Sequence, residues 1–279
     1  MPRKLILLDI DGTLCIPTVS EPPASALEAI RLARRAGHLV ALCSGRNYAS
    51  QRALLAYGFD GVVASAGGYI VAGDEVLFDC PMTDDQRRRV CEALDGIGAW
   101  WTLESRLHTY ADSRLREYLK TVTAGNSELL RWHEASVKRR GILPMEEYDG
   151  DPIYKITFLF LDHDKLIEPM TALGREFKFC LLSTFDRDGL HNAELINRKF
   201  NKGKALLRMA AHFGVAAGDT IAFGDSMNDA EMLAAAGLSV CMGNGSPELK
   251  EMADLVCPNV DDDGLYKAFA QLGLFAPVT

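Results

Sequence analysis

What the chain lacks narrows the field first. It contains no C-x-x-C pair, and its seven cysteines (Cys15, Cys43, Cys80, Cys91, Cys180, Cys241, Cys257) are scattered and odd in number. Neither a disulfide framework nor a thiolate zinc site is built that way, so free thiols in a reducing cytosol are expected. Cys43 and Cys241 stand in apolar runs and read as small buried hydrophobes. No apolar stretch approaches the length of a membrane span. Arg3 and Lys4 precede an apolar run, but Asp9 stops it after four residues, too short for a signal peptide. Positive charge is in deficit: 30 Lys and Arg face 38 Asp and Glu, a net charge of −8. Nucleic acid and anionic membrane are therefore poor partners, and an anionic ligand needs a local positive site. Low-complexity segments and internal repeats are absent. A cytoplasmic protein is the expectation, and nothing in the sequence fixes its oligomeric state.

What is present is ordinary globular composition, 48% hydrophobic and 24% charged, which excludes disordered and fibrous classes. At 279 residues the chain exceeds the usual single-domain size, so two domains are expected. The stretch that organises it is Leu5-Ile6-Leu7-Leu8-Asp9-Ile10-Asp11-Gly12-Thr13-Leu14. Four consecutive aliphatics read as a strand buried on both faces, as in the middle of a parallel sheet. The run ends in two acids, Asp9 and Asp11, and Gly12 permits an abrupt turn by which both splay around one point beyond the sheet edge. Two carboxylates so close need a counter-charge, and hard oxygen ligands suit a divalent ion such as Mg²⁺. Asp-Gly after a strand is equally a hairpin signal. A 12-residue calcium loop is a poorer fit, because Pro17, Thr18 and Ser20 stand where later ligands belong.

Ala24–Ala36 carries apolar residues at helical spacing before Gly37, and His38–Cys43 is a second buried strand, making a βαβ unit. Ser44-Gly45-Arg46 opens a helix, Gly61–Ala66 is a third strand, and residues 69–79 form a hairpin at the sheet margin. From about Pro81 the texture changes to helices and alternating strands: a helix over Thr83–Leu94, short strands, an irregular polar stretch, and a long strand over Ile153–Leu161. This reads as an inserted α+β domain with its own antiparallel sheet. After Asp188 the first texture returns, with a helix over Lys202–Phe213, a buried strand over Thr220–Gly224, and further helix and strand alternation. The expected division is therefore 1–81 with 188–279 as one discontinuous α/β domain, and 82–187 as the insert.

A second acidic cluster, Gly224-Asp225-Ser226-Met227-Asn228-Asp229, follows a buried strand. Ser226, Asn228 and Asp229 are good helix-opening residues in their own right. Asp225, however, stands to its strand as Asp9 stands to the first, so adjacent strands bring the acids together at a switch point. Ser44 and Gly45 offer a hydroxyl and backbone N–H groups suited to a phosphoryl oxygen, though a lone Ser-Gly pair there is more often a simple cap. Lys202 begins a helix, where the macrodipole disfavours a cation, so an anionic partner is expected. Lys204 is its rival.

In this order, D-I-D-G-T, Ser44, Lys202 and G-D-S-M-N-D resemble the four motifs of the haloacid dehalogenase (HAD) superfamily. The insert, followed by A-E-L-I-N-R-K-F-N-K-G-K-A-L, resembles the Cof-type, class IIB branch, which implies a Rossmann-like parallel-sheet core with a C2 cap. The resemblance implies a Mg²⁺-dependent phosphatase of small phosphorylated metabolites such as sugar phosphates. Asp9 would be the nucleophile and Asp11 the acid/base. Mg²⁺ would lie on the Asp9 carboxylate, the Asp11 backbone carbonyl and Asp225, with Asn228 and Asp229 orienting ligands. Ser44, Gly45 and Lys202 would hold the phosphoryl group. The acid at Asp11 separates this chain from the dehalogenases of the superfamily. Relatives of the branch often carry Asn-Gly after the third strand, whereas this chain has Ser65-Ala66-Gly67-Gly68, with Ala66 in place of Asn. Arg106, His108, Lys155, Arg187 and His191 are cap candidates for substrate contact, none singled out, and Trp100-Trp101 reads as cap core. Two other functions stay open on the residues: a phosphomutase, and a phosphometabolite-binding module without turnover.

Overall fold

A computed structural model describes residues 2–17, 19, 21–121, 133, 141–185 and 189–275, the side chains of 182–185 excepted. Numbered in chain order, the first strands are β1 (Leu5–Leu8), β2 (Leu39–Cys43), β3 (Gly61–Ala64), β4 (Tyr69–Ala72) and β5 (Glu75–Asp79). Next come β6 (Trp100–Ser105), β7 (Thr109–Ala111), β8 (Ile142–Pro144), β9 (Ile153–Phe160), β10 (Phe177–Phe185) and β11 (Leu190–Asn197). The last are β12 (Thr220–Gly224), β13 (Leu238–Cys241) and β14 (Leu255–Val256). They form an eight-stranded sheet, β14-β13-β12-β1-β2-β3-β4-β5, and a six-stranded sheet, β10-β11-β9-β6-β7-β8. Each sheet belongs to its own compact unit, Met1–Asp79 with Phe200–Thr279 and Cys80–Lys199.

In the first unit β1 is parallel to both β2 and β12, so the Asp-Gly after it is no hairpin. Its four aliphatics are fully buried and alternate between two layers. Ile6 and Leu8 pack with the helices Ala24–Arg35 and Gly264–Gln271. Leu5 and Leu7 pack with the helices Lys202–Phe213 and Ala230–Ala235. A strand with apolar demand on both faces is what two helical layers require, and each such buried leucine contributes about 1.5–3 kcal/mol. The sheet's margin is the antiparallel pair β4 and β5. Register then sets the site: Leu8 lies beside Leu42 and Phe223, so β2 and β12 end within one residue of β1. The chain leaves β1 towards β2 on one side and returns as β12 on the other, which makes this end a switch point.

In the second unit β9 is the strand between β6 and β11, antiparallel to both. Ile156, Phe158 and Phe160 point into a core with Val90, Leu94 and Leu195. The division falls at Asp79/Cys80 and Lys199/Phe200, later than Asp188, because Leu190–Asn197 is a full strand bonded to β9 and β10. Part of the irregular polar stretch, residues 122–132 and 134–140, lies outside the described residues, as does Arg187. Among the described residues, no helix is long and apolar enough to cross a membrane.

Candidate active site

The loop after β1 turns at once. Leu14 and Cys15 donate their N–H groups to the Ile10 carbonyl at 3.1 and 2.8 Å. Gly12 sits at φ +87°, and a Cβ there would lie 2.3 Å from Asp225 Oδ2. Only glycine meets both demands. The Asn244 amide donates to the Gly12 carbonyl at 2.8 Å and Thr13 Oγ1 donates to Asp225 Oδ1 at 3.4 Å, tying the loop to the segments beyond β12 and β13.

Asp9, just past β1, is 4% exposed, and Lys202 is 2% exposed. Lys202 Nζ donates to Asp9 Oδ1 and Asp229 Oδ1, both at 2.6 Å, and to Asn228 Oδ1 at 3.2 Å. The ammonium at this helix start has the anionic partners that the dipole argument demands. Lys204 is exposed. Asp229 is fully buried and its other oxygen accepts from the backbone N–H groups of Asp225 and Ser226 at 3.1 and 3.3 Å. Asp9, Asp225 and Asp229 offer carboxylate oxygens within 4.8 Å of one another. Asn228 sits at the edge of the cluster, accepting from Ser226 Oγ at 3.0 Å.

Three acids against one ammonium leave negative charge in excess. Burial and the Asp229 charge push Asp9 up to about 7, with Lys202 opposing. Burial, Asp9 and Asp229 push Asp225 up to about 8. Burial acts to lower Lys202, but Asp229 and Asp9 outweigh it and hold the ammonium well above its ordinary value. A group of hard oxygen donors that repel one another to this degree fits a divalent cation.

Ser44, 2% exposed, directly follows β2 on the same edge. Its Oγ accepts from the Arg46 N–H at 3.2 Å, so the hydroxyl proton is available to an acceptor. Gly45 lies between them, half-buried. Asp11 stands outside the carboxylate cluster: Arg46 Nε and Nη2 donate to its two oxygens at 2.9 and 2.6 Å. The two acids thus take different partners, the Asp9 carboxylate Lys202 and the Asp11 carboxylate Arg46, because strand alternation ends at Leu8 and the chain turns at Gly12. Arg46, Thr13, Asn244 and Asp11's separation were not read from the sequence. The adjacency of Arg46 to Ser44 was the available signal for the first. Ser65 and Ala66 hold φ +50° and +56°, unusual for residues with a Cβ. Their N–H groups donate to the carbonyls of Arg46 and Ser44 at 2.8 and 3.0 Å, so the turn after β3 is fastened to Ser44-Gly45-Arg46.

The remaining candidates lie in the second unit. Lys155 is 1% exposed, bonded to Glu194 and 3.4 Å from Glu104. His108 pairs with Asp151 at 3.1 Å, His191 with His163 at 3.1 Å, and Arg106 is exposed. Ser105, His108 and Asp151 meet, but Ser105 Oγ accepts from the N–H groups of Leu107 and His108, which closes a turn and makes no catalytic triad. Trp100 packs on Tyr118, and the Trp101 indole donates to Asp95 at 2.9 Å.

Known proteins resemble this chain along most of its length. The family profile of the haloacid dehalogenase-like hydrolases matches residues 6–269. The chain is 28% identical to the 5-amino-6-(5-phospho-D-ribitylamino)uracil phosphatase YwtE of Bacillus subtilis, over 96% of this chain and 98% of the relative. It is 29% identical to the HMP-PP phosphatase of Cronobacter sakazakii, over 88% and 86%. In fold it resembles the HAD subclass IIB sugar phosphatase BT4131, with a TM-score of 0.78 at 22% identity over 98% of this chain and 100% of that one. The chain belongs to the haloacid dehalogenase-like hydrolases, in their Cof-type branch.

Proposed function

We propose that this hydrolase is a Mg²⁺-dependent phosphatase of a small phosphomonoester, a sugar phosphate or a metabolite of similar size, working through an aspartyl-phosphate. The observation that carries the reading is the meeting of Asp9 with Lys202 at 2.6 Å inside a three-carboxylate cluster, at the sheet edge that Ser44 also reaches. The named phosphatase activities of the relatives support a small phosphorylated substrate.

Asp9 Oδ attacks phosphorus, and the bond from phosphorus to the leaving oxygen breaks with its electron pair staying on that oxygen. Asp11 gives it a proton. Water then attacks the phosphorus, Asp11 takes the water proton, and the phosphorus bond to Asp9 breaks to restore the carboxylate. Splitting one displacement into two, with a placed acid/base worth about 10²–10⁴-fold, is the physical gain. Lys202 and the Ser44 hydroxyl hold phosphoryl oxygens where charge develops. The Asp9 and Asp225 carboxylates and the Asp11 backbone carbonyl would hold Mg²⁺, while Asp229 fixes Lys202 and the Asp225 backbone. When bound, the ion neutralises charge shared by phosphoryl oxygens and nucleophile. The 80–199 unit, as a C2-type cap, contributes selectivity for the leaving group.

The test is phosphate release from a panel of sugar phosphates and other phosphomonoesters, with and without Mg²⁺. Wild-type protein should release phosphate only with Mg²⁺, and Asp9→Asn should release none above background. Full turnover by Asp9→Asn overturns the reading.

A further inference from the structure

Arg46 makes the most specific contact of the site that the mechanism above leaves unused. Its guanidinium meets Asp11 by two parallel bonds, Nε to Oδ2 at 2.9 Å and Nη2 to Oδ1 at 2.6 Å. The two side chains are only 11% and 17% exposed. Such a fork fixes the carboxylate plane as well as its position, which an ammonium cannot do.

The root of Arg46 is fixed as firmly as its tip. Its N–H donates to Ser44 Oγ at 3.2 Å, and its carbonyl accepts from Gln51 Nε2 at 2.9 Å and from the Ser65 N–H at 2.8 Å. Gln51 is fully buried. Three segments, the end of β2, the helix Tyr48–Leu55 and the turn after β3, therefore converge on one residue whose side chain ends on Asp11.

The site needs such a device. Asp9 and Asp11 are two residues apart on a tight loop, beside Lys202 and a place that suits a cation. An unrestrained Asp11 carboxylate would be drawn to either. Instead Asp9, Asp225 and Asp229 form the cluster and Asp11 does not join it.

We infer that Arg46 is a positioning residue that keeps the Asp11 carboxylate out of the acid cluster and aimed at the leaving oxygen. The inference rests on the phosphatase reading and deepens it. The fork makes one bond to each Asp11 oxygen, and a carboxylate oxygen can take part in more than one. In the first half-reaction that proton goes to the leaving oxygen as its bond to phosphorus breaks. Placement should therefore count most for alkyl and sugar esters, whose alkoxide leaves poorly, and least for p-nitrophenyl phosphate, whose phenolate leaves without help.

The experiment compares kcat/KM, which covers steps through departure of the leaving group, for a sugar phosphate and for p-nitrophenyl phosphate. Arg46→Gln and Arg46→Lys should each lose about 10²-fold or more on the sugar phosphate and at least about tenfold less on p-nitrophenyl phosphate. The lysine retains the charge without the fork and should rescue little. In an Asp11→Asn background, Arg46→Gln should add no further loss, since the arginine would have nothing left to aim. Thermal melting checks that each variant is folded. Gln51→Leu, which removes the side-chain bond to the Arg46 carbonyl together with longer ones to the Asn47 and Val63 carbonyls, should give the same leaving-group signature in weaker form and serves if Arg46→Gln does not fold. Equal losses on both substrates, rescue by lysine, a change in KM alone, or full additivity with Asp11→Asn each overturn the inference. Failure of the phosphatase reading itself is separate, seen as Asp9→Asn turning over normally.

Discussion

Lys202 and Asp9 lie 193 residues apart in sequence, yet the ammonium donates to the carboxylate at 2.6 Å, and both groups are almost fully buried. Removing one partner strands the other. Lys202→Met leaves Asp9 and Asp229 without their cation and should destabilise the fold by about 3–5 kcal/mol. It should also cut turnover by about 10²–10³-fold through loss of charge at the phosphoryl group. Thermal melting and steady-state phosphate release check the two effects, and an unchanged melting temperature contradicts the first.

Stability should respond to pH and Mg²⁺ together. Asp9 and Asp225 are raised from 3.8 to about 7 and about 8. Each holds its proton longer folded than unfolded, so their contribution to stability falls as pH rises from about 4 through about 8. A divalent ion competes with those protons, and its stabilising effect grows as they leave. The gain in melting temperature on adding Mg²⁺ should therefore be larger at pH 8.5 than at pH 5.5. Equal gains at both would place the ion elsewhere.

Gly12→Ala puts a methyl into the Asp225 carboxylate, at 2.3 Å, on a backbone with φ +87°. The strain should cost about 1–3 kcal/mol. The displaced carboxylate should raise the Mg²⁺ concentration for half-maximal activity by about tenfold or more. Gly73→Ala is the control: it has positive φ but open space around it, and should lose some stability with its Mg²⁺ requirement unchanged.

Ser65 combines φ +50° with a buried hydroxyl that has no hydrogen-bond partner. Strain and an orphaned polar group together mark functional positions. Ser65→Ala should leave stability unchanged or raise it by up to about 1–3 kcal/mol, while phosphate release slows. Melting curves and kinetics on the same preparation decide it; if neither changes, Ser65 is an ordinary turn residue.

The sheet and the positions of the acids were readable because both rest on local signals. Leu5-Ile6-Leu7-Leu8 announces a doubly buried strand, and Asp9 and Asp225 stand directly at strand ends. Leu190–Asn197 lacks such a local signal: Asp188 and Gly189 suggest a boundary before it, and Asn192 and Glu194 break its apolar pattern. Both are buried, and Glu194 is matched by Lys155 from a neighbouring strand, a partner that no local window contains. Arg46 was missed for a similar reason. Its charge is visible in sequence, but its choice of Asp11 over Asp9 depends on the turn at Gly12 and on Gln51 and Ser65 holding its backbone.

The eight-stranded sheet draws β1 and β12 into adjacency from either side of the 80–199 unit. During ribosomal synthesis the first five strands emerge without the neighbour that completes their centre, and the 80–199 unit, with a core of its own, emerges before β12 exists. Non-local closure of this kind is slow. The nascent enzyme thus carries Asp9 long before Asp225 and Asp229, and the acid cluster can assemble only once β12 has followed the 80–199 unit.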